Sequence, residues 1–228
     1  MSWPYPNTLV VGTVTDEAQA RLAVEGGASA LEFRADLVTP DGMESMLEGV
    51  TTVAGDAGVP VIFTMRSSVE GGGFTGSPDE SADIILKMAG GVQIVDLELA
   101  RPDLDSLAAG LRKLGLSVIV SHHDFKAQPA ITRLRSIMLK AIESGDVAKL
   151  AVTPSSLQHV VDIYRLLQES DCRLCAIGMG EIGRQTRLVA PLFGSVLTYG
   201  YTGQAVAPGQ MSVRELVECL RILGVRGV

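Results

Sequence analysis

The 228-residue sequence predicts an α/β protein built as a (β/α)8 TIM barrel, a single domain spanning residues 1–228. Three observations predict it. Short β-branched or aliphatic runs recur eight times, stretches with helical spacing lie between them, and several runs end on charged residues at alternate positions, where barrels of this class build their sites. A doubly wound open sheet is the alternative. Eight regularly spaced units without a visible linker, repeat or low-complexity tract favour closure instead.

Taken in order, the predicted strands are 9–14, 30–36, 59–66, 94–99, 117–124, 147–154, 174–180 and 195–201. Helical spacing marks 16–25, 79–89, 103–114, 131–144, 155–169 and a closing helix over 212–223, several opening on Asp or Ser caps. The second run ends LEFRAD, placing Glu32, Arg34 and Asp36 on one face and Leu31, Phe33 and Ala35 on the other. The third places Thr64 with Arg66, the fourth Asp96 with Glu98, and the fifth Ser121 with His123. If their apolar neighbours face the helices, all these polar sets point inward and line a hydrogen-bonded pocket.

The sixth run, DVAKLAVTP over 146–154, sets Lys149 inside an otherwise apolar strand, on the same face as Val147 and Ala151. Loss of hydration there favours the neutral amine, the form able to attack a carbonyl. Fold alone does not give function. A strand-borne lysine among inward polar residues points to imine chemistry.

Hydrophobic residues make up 46% and charged residues 20% of the chain, a balance suited to strands buried on both faces. Formal net charge is −7 and there is no basic tract, so nucleic acid is not an expected partner. An anionic ligand would have to be met by a few grouped arginines. No run reaches the roughly 18 apolar residues of a membrane helix, and the opening MSWPYPNT lacks a basic signal-peptide region. No membrane association and a cytoplasmic location are expected. Three cysteines, Cys172, Cys175 and Cys219, cannot form a closed disulfide set, which fits a reducing compartment.

Several motifs invite other chemistry. His122 and His123 are adjacent in a strand and so face opposite ways, and the remaining histidine, His159, falls on a helix, so no metal site is expected. Cys172-x-x-Cys175 lies at the start of strand seven, on the face of the barrel that serves stability, and reads as structural thiols. Gly178, Gly180 and Gly183 match GxGxxG, yet no Asp or Glu lies between Glu181 and Glu215 to hold a ribose. Arg184 and Arg187 follow instead; Arg187 is expected to reach an anionic substrate group, Arg184 to face solvent. Two glycine-bearing loops, 67–79 and 202–210, have the composition of mobile covers that would exclude water from an imine.

With these residues in view, the chain resembles the type I 3-dehydroquinate dehydratases over nearly its full length. The matching segments are EFRAD at 32–36, FTMRS at 63–67 with EGG at 70–72, DLEL at 96–99, SHHDF at 121–125, KLAVTP at 149–154, MGEIGRQTR at 179–187, FGSVLTYG at 193–200 and APGQ at 207–210. The resemblance implies a (β/α)8 barrel, commonly a homodimer, that converts 3-dehydroquinate to 3-dehydroshikimate in the shikimate pathway of aromatic amino-acid biosynthesis, with no metal or organic cofactor. It further implies that Lys149 forms the imine, that His123 takes the proton from the adjacent carbon, and that Glu70 orients His123. By the same resemblance Glu32, Arg34 and Arg66 hold the ring hydroxyls, while Arg187 and Gln210 bind the carboxylate.

Two departures stand out. Val206 occupies a lid position that is often serine in the family, and few residues precede Leu9 where many members carry a hairpin across the barrel bottom. The rival readings are a class I aldolase, which shares the strand-borne lysine but commonly recognises phosphate, and a catalytically silent binding protein on the same fold. Turnover of 3-dehydroquinate separates the first, and borohydride trapping on Lys149 the second.

Overall fold

Alternation along the eight runs decides the architecture of the computed structural model, in which residues 3–203 and 210–227 are described. The strands are β1 Leu9–Val14, β2 Ala30–Arg34, β3 Val61–Thr64, β4 Ile94–Glu98, β5 Ser117–Asp124, β6 Val147–Val152, β7 Leu174–Gly178 and β8 Leu197–Tyr201. All pair in parallel in the order β7-β6-β5-β4-β3-β2-β1-β8. The Val196 N–H donates to the Leu174 carbonyl at 3.0 Å, bringing the β8 edge to β7. The result is a nearly closed (β/α)8 barrel.

Outward residues such as Val10, Phe33, Phe63, Leu97, Val120 and Leu150 pack under the helices in one continuous core. Inward residues form a second, smaller cluster of Leu9, Val11, Ile62, Ile94, Ile119, Val147 and Leu197, filling the lower half of the barrel. Trp3 joins that inner cluster and meets Tyr5 edge to face at 4.9 Å, so the short N-terminal segment itself packs on the barrel bottom.

The helices are α1 Glu17–Glu25, α2 Met43–Ala57, α3 Pro78–Met88, α4 Leu104–Lys113, α5 Ile131–Ser144, α6 Leu157–Gln168, the short α7 Gly180–Gly183 and α8 Thr186–Val189, and α9 Val213–Ile222. Asp16, Ser77, Ser156 and Ser212 cap their helices through side-chain oxygens, Ser77 and Ser212 in full capping boxes. Asp103 does not cap α4; its carboxylate is taken by Arg101 at 3.0 and 2.8 Å.

Several strands are shorter than the sequence predicts. The backbone leaves β2 at Ala35 for a 3-10 turn over Ala35–Leu37, and this carries Asp36 away from the inward face it was expected to share with Glu32 and Arg34. The 67–79 loop is tightly built. Ser67 accepts from the Glu70 N–H in a 3-10 turn, and Ser67 pairs with Phe74. A Cβ on Gly72 would lie 2.1 Å from the Arg66 carbonyl oxygen, and one on Gly73 2.3 Å from that of Asp36. These glycines answer close backbone approach rather than the hinge expected of them. The other expected cover lies mostly outside the described residues, Val206 and the first three positions of APGQ included.

Candidate functional site

Strand alternation lifts the charged residues into the upper half of the barrel, above the aliphatic layers. There they line a pocket that opens to solvent at the top of the barrel. Lys149, His123 and Glu70 line it, as do Glu32, Arg34 and Arg66 on one side and Arg187 and Gln210 on the other. All eight residues singled out from the sequence thus meet in one cavity.

The Lys149 side chain does not reach out of the strand to solvent; the residue is 4% exposed. It shares the inward face of β6 with Val147 and Ala151, as expected, but its tip does not end in an apolar setting. Nζ donates to Asp96 Oδ2 at 2.9 Å and to Glu32 Oε1 at 3.4 Å, and lies 4.1 Å from the centre of the Tyr199 ring. An isolated charge at this depth would cost several kcal/mol. The two carboxylates offset that and fix the amine in place. Glu32 is held in turn by hydroxyls, at 3.0 Å from Thr64 and 3.4 Å from Thr13.

Arg66 is the hub of the opposite wall. Its guanidinium donates to Asp96 at 2.7 Å and Ser121 at 2.8 Å, and Nη1 lies 3.4 Å from Glu98 and 3.5 Å from Glu70. Burial works against its charge, but Asp96, Glu70 and Glu98 outweigh it and raise its pKa further. Burial would likewise push Asp96 up, yet Arg66 and Lys149 hold its carboxyl well below the usual range.

His123 sits two residues beyond Ser121, whose strand partner is Lys149, and faces the same pocket. Its Nδ1 is 2.8 Å from Glu70 Oε2, which also accepts the His123 backbone N–H at 3.2 Å. Burial, opposed by Arg66 and assisted by Glu98 and Asp96, pushes the Glu70 carboxyl up to about 8. Burial, with Arg66 and Lys149 nearby, holds the His123 ring well below 6.5. Both shifts favour the uncharged form of the group concerned. When Nδ1–H donates to Oε2, Nε2 is the unprotonated nitrogen. Phe125 lies along the ring of His123, with centroids 6.5 Å apart.

On the far side, Arg187 is buried at 2% exposure, and burial lowers its pKa to about 10. Its Nη1 donates to the Tyr199 carbonyl at 3.3 Å. Arg184 is exposed, as expected. The glycines before them serve packing, since a Cβ on Gly183 would lie 2.4 Å from the carbonyl carbon of Gly178.

His122 lies outside this pocket, and among the described residues no group of three or more His, Cys, Asp or Glu could hold a metal ion. Cys175 is fully buried against the barrel interior beside Lys149, and burial pushes its thiol up to about 12, which keeps it protonated. Asp96 and Ser121 were legible as inward residues, though not as partners of Lys149 and Arg66. Tyr199 carried no sign in the sequence beyond its alternate place on β8.

Among known proteins, the profile of the Type I 3-dehydroquinase family matches residues 8–226. A 3-dehydroquinate dehydratase of Methanocella arvoryzae is 39% identical over 217 residues, covering 95% of this chain and 97% of the relative. The crystal structure of 3-dehydroquinate dehydratase from Geobacillus kaustophilus superposes with a TM-score of 0.88 at 26% identity, covering 98% of this chain and 93% of that one. The type I 3-dehydroquinate dehydratase from Clostridium difficile, crystallised with covalent modified comenic acid, gives 0.85 at 25% identity over 99% and 95% of the two chains. With the same barrel and a family match that runs through every strand, the chain belongs to the Type I 3-dehydroquinase family.

Proposed function

We propose that this chain dehydrates 3-dehydroquinate to 3-dehydroshikimate through an imine on Lys149, as a step of the shikimate pathway. The observation that carries the reading is a buried lysine amine sharing one pocket with the hydrogen-bonded His123–Glu70 pair. The covalent modification named for the Clostridium difficile relative supports it by analogy.

In this reading Lys149 first gives up a proton to Nε2 of His123, the freed amine adds to the substrate ketone, and the hydroxyl so formed leaves as water with that proton, giving the iminium. That cation draws electrons from the neighbouring C–H bond, and Nε2 of His123 removes the proton, leaving an enamine. The enamine then expels the β-hydroxyl, which leaves as water with the proton returned by His123, and hydrolysis of the remaining imine frees product and Lys149. Glu70 sets the tautomer of His123. Glu32, Arg34 and Arg66 take the ring hydroxyls, and Arg187 with Gln210 takes the carboxylate.

Mass spectrometry after borohydride reduction with 3-dehydroquinate tests this. A reduced adduct on the peptide containing Lys149 is expected, absent from Lys149→Ala. Turnover without any adduct at Lys149 would overturn the imine.

The chain acts as one catalytic domain over its 228 residues, and we place it in the cytoplasm, a reading that three unpaired cysteines support. We further propose a homodimer. Leu157 and Val161 on α6 are 70% and 51% exposed, and Leu192 and Phe193, next to them, are also exposed, with Phe193 stacked on Tyr164 at 5.0 Å.

A further inference from the structure

Asp36 has no part in the chemistry above, yet its side chain is fully enclosed and saturated with donors. Oδ1 accepts from Arg34 Nε at 2.8 Å, and Oδ2 accepts both from Arg34 Nη2 at 2.7 Å and from the Gly73 backbone N–H at 2.9 Å. Arg34 closes β2, whereas Gly73 stands three residues beyond Glu70 in the turn after β3. The two donors therefore come from the two halves of the pocket.

A carboxylate gripping the Nε and Nη2 edge of a guanidinium fixes its plane and leaves Nη1 for a ligand. The same carboxylate ties down the backbone of the turn that presents Glu70 to His123. Gly73 has no slack there, because its backbone already lies against the Asp36 carbonyl.

We infer that Asp36 is a positioning residue that aims Arg34 into the pocket and fastens the Glu70 turn to β2, holding hydroxyl recognition and proton transfer in one frame. What Arg34 and Glu70 then do rests on the proposed dehydratase reading; the tether does not.

Two measurements test it. In the wild type the Gly73 amide must be protected from hydrogen exchange, and in Asp36→Asn, whose one amide oxygen cannot serve all three N–H groups and whose NH2 faces a donor, exchange over 72–74 should quicken by about tenfold or more. In the same variant KM for 3-dehydroquinate should rise about tenfold and kcat fall severalfold, since small displacements of positioning groups are costly. Added to Arg34→Met, Asp36→Asn should worsen kcat but leave KM where Arg34→Met alone puts it. An unprotected Gly73 amide in the wild type overturns the inference even if Asp36→Asn cannot be prepared. An unchanged KM in that variant, or KM effects that simply multiply in the double variant, overturns it too. A wild type that does not turn over 3-dehydroquinate overturns the dehydratase reading instead, and exchange at Gly73 alone then decides the tether.

Discussion

Glu70 and His123 depart from their ordinary pKa values in opposite directions, and the two shifts act oppositely on stability. Glu70 ionises near 4.5 when unfolded and near 8 when folded, so the folded state holds the extra proton between those values. Its contribution is full below 4.5 and lost as pH rises through about 8. His123, held below 6.5 in the fold, contributes stability above 6.5 that is lost as pH falls. Between about pH 7 and 9, Glu70 is thus the member of the pair still titrating. The melting temperature of the wild type is expected to fall across that window. Glu70→Gln keeps a carbonyl acceptor for His123 and cannot ionise, so its melting temperature should change less; parallel slopes would show that Glu70 is already ionised at neutral pH. Lys149 shows, at the same scale, what a sequence can and cannot give. The apolar run around it foretold burial of its stem. The carboxylates at its tip come from residues 53 and 117 positions away and are set by barrel closure.

Elements whose signal is local were legible, and those set by tertiary packing were not. All eight strands lie where period-two alternation and aliphatic runs put them, but their ends were overextended where a turn rather than a polar residue stops pairing, as at Ala35 and before Pro154. Helix α2 carries its own apolar stripe of Leu47, Val50, Val53 and Ala54, but its Gly42 start offers no side-chain cap, and the segment did not stand out. The GxGxxG match between β7 and α7 shows how one spacing serves two physical ends. Here the glycines let strand and helix backbones touch and so set where Arg187 enters the pocket. Gly183→Ala would force a methyl group to 2.4 Å from the Gly178 carbonyl carbon and 2.6 Å from its oxygen, both backbone atoms with little freedom to yield. Overpacking of this kind costs about 1–3 kcal/mol, equivalent to roughly 2–12 °C in a domain of this size. KM should rise more than kcat falls, because the displaced group is Arg187. Thermal melts and steady-state kinetics check both, and an unshifted melting temperature would mean the turn is looser than drawn.

At the scale of the whole molecule, α6 carries two apolar faces. Val160, Ile163, Leu166 and Leu167 enter the core, while Leu157 and Val161, at helical spacing of four, turn outward, and Phe193 stacks on the partly buried Tyr164 with Leu192 exposed beside it. Isolated exposed apolar residues are ordinary on a protein surface, and it is their grouping here that gives the proposed homodimer a surface to use. A two-fold interface can use one such patch against itself, the commonest arrangement in soluble oligomers. Sedimentation velocity at micromolar concentration is expected to give a dimer for the wild type. Val161→Glu would place a charge at the patch centre without touching the pocket or the inner core, and should shift the protein to monomers with its far-ultraviolet spectrum unchanged. The eight residues given roles in the proposed reaction all belong to one chain, and kcat of the monomeric variant is expected to stay within about twofold of the wild type. A wild type that sediments as a monomer would remove the dimer, whereas a monomeric Val161→Glu that lost turnover would mean the partner subunit helps to complete the site.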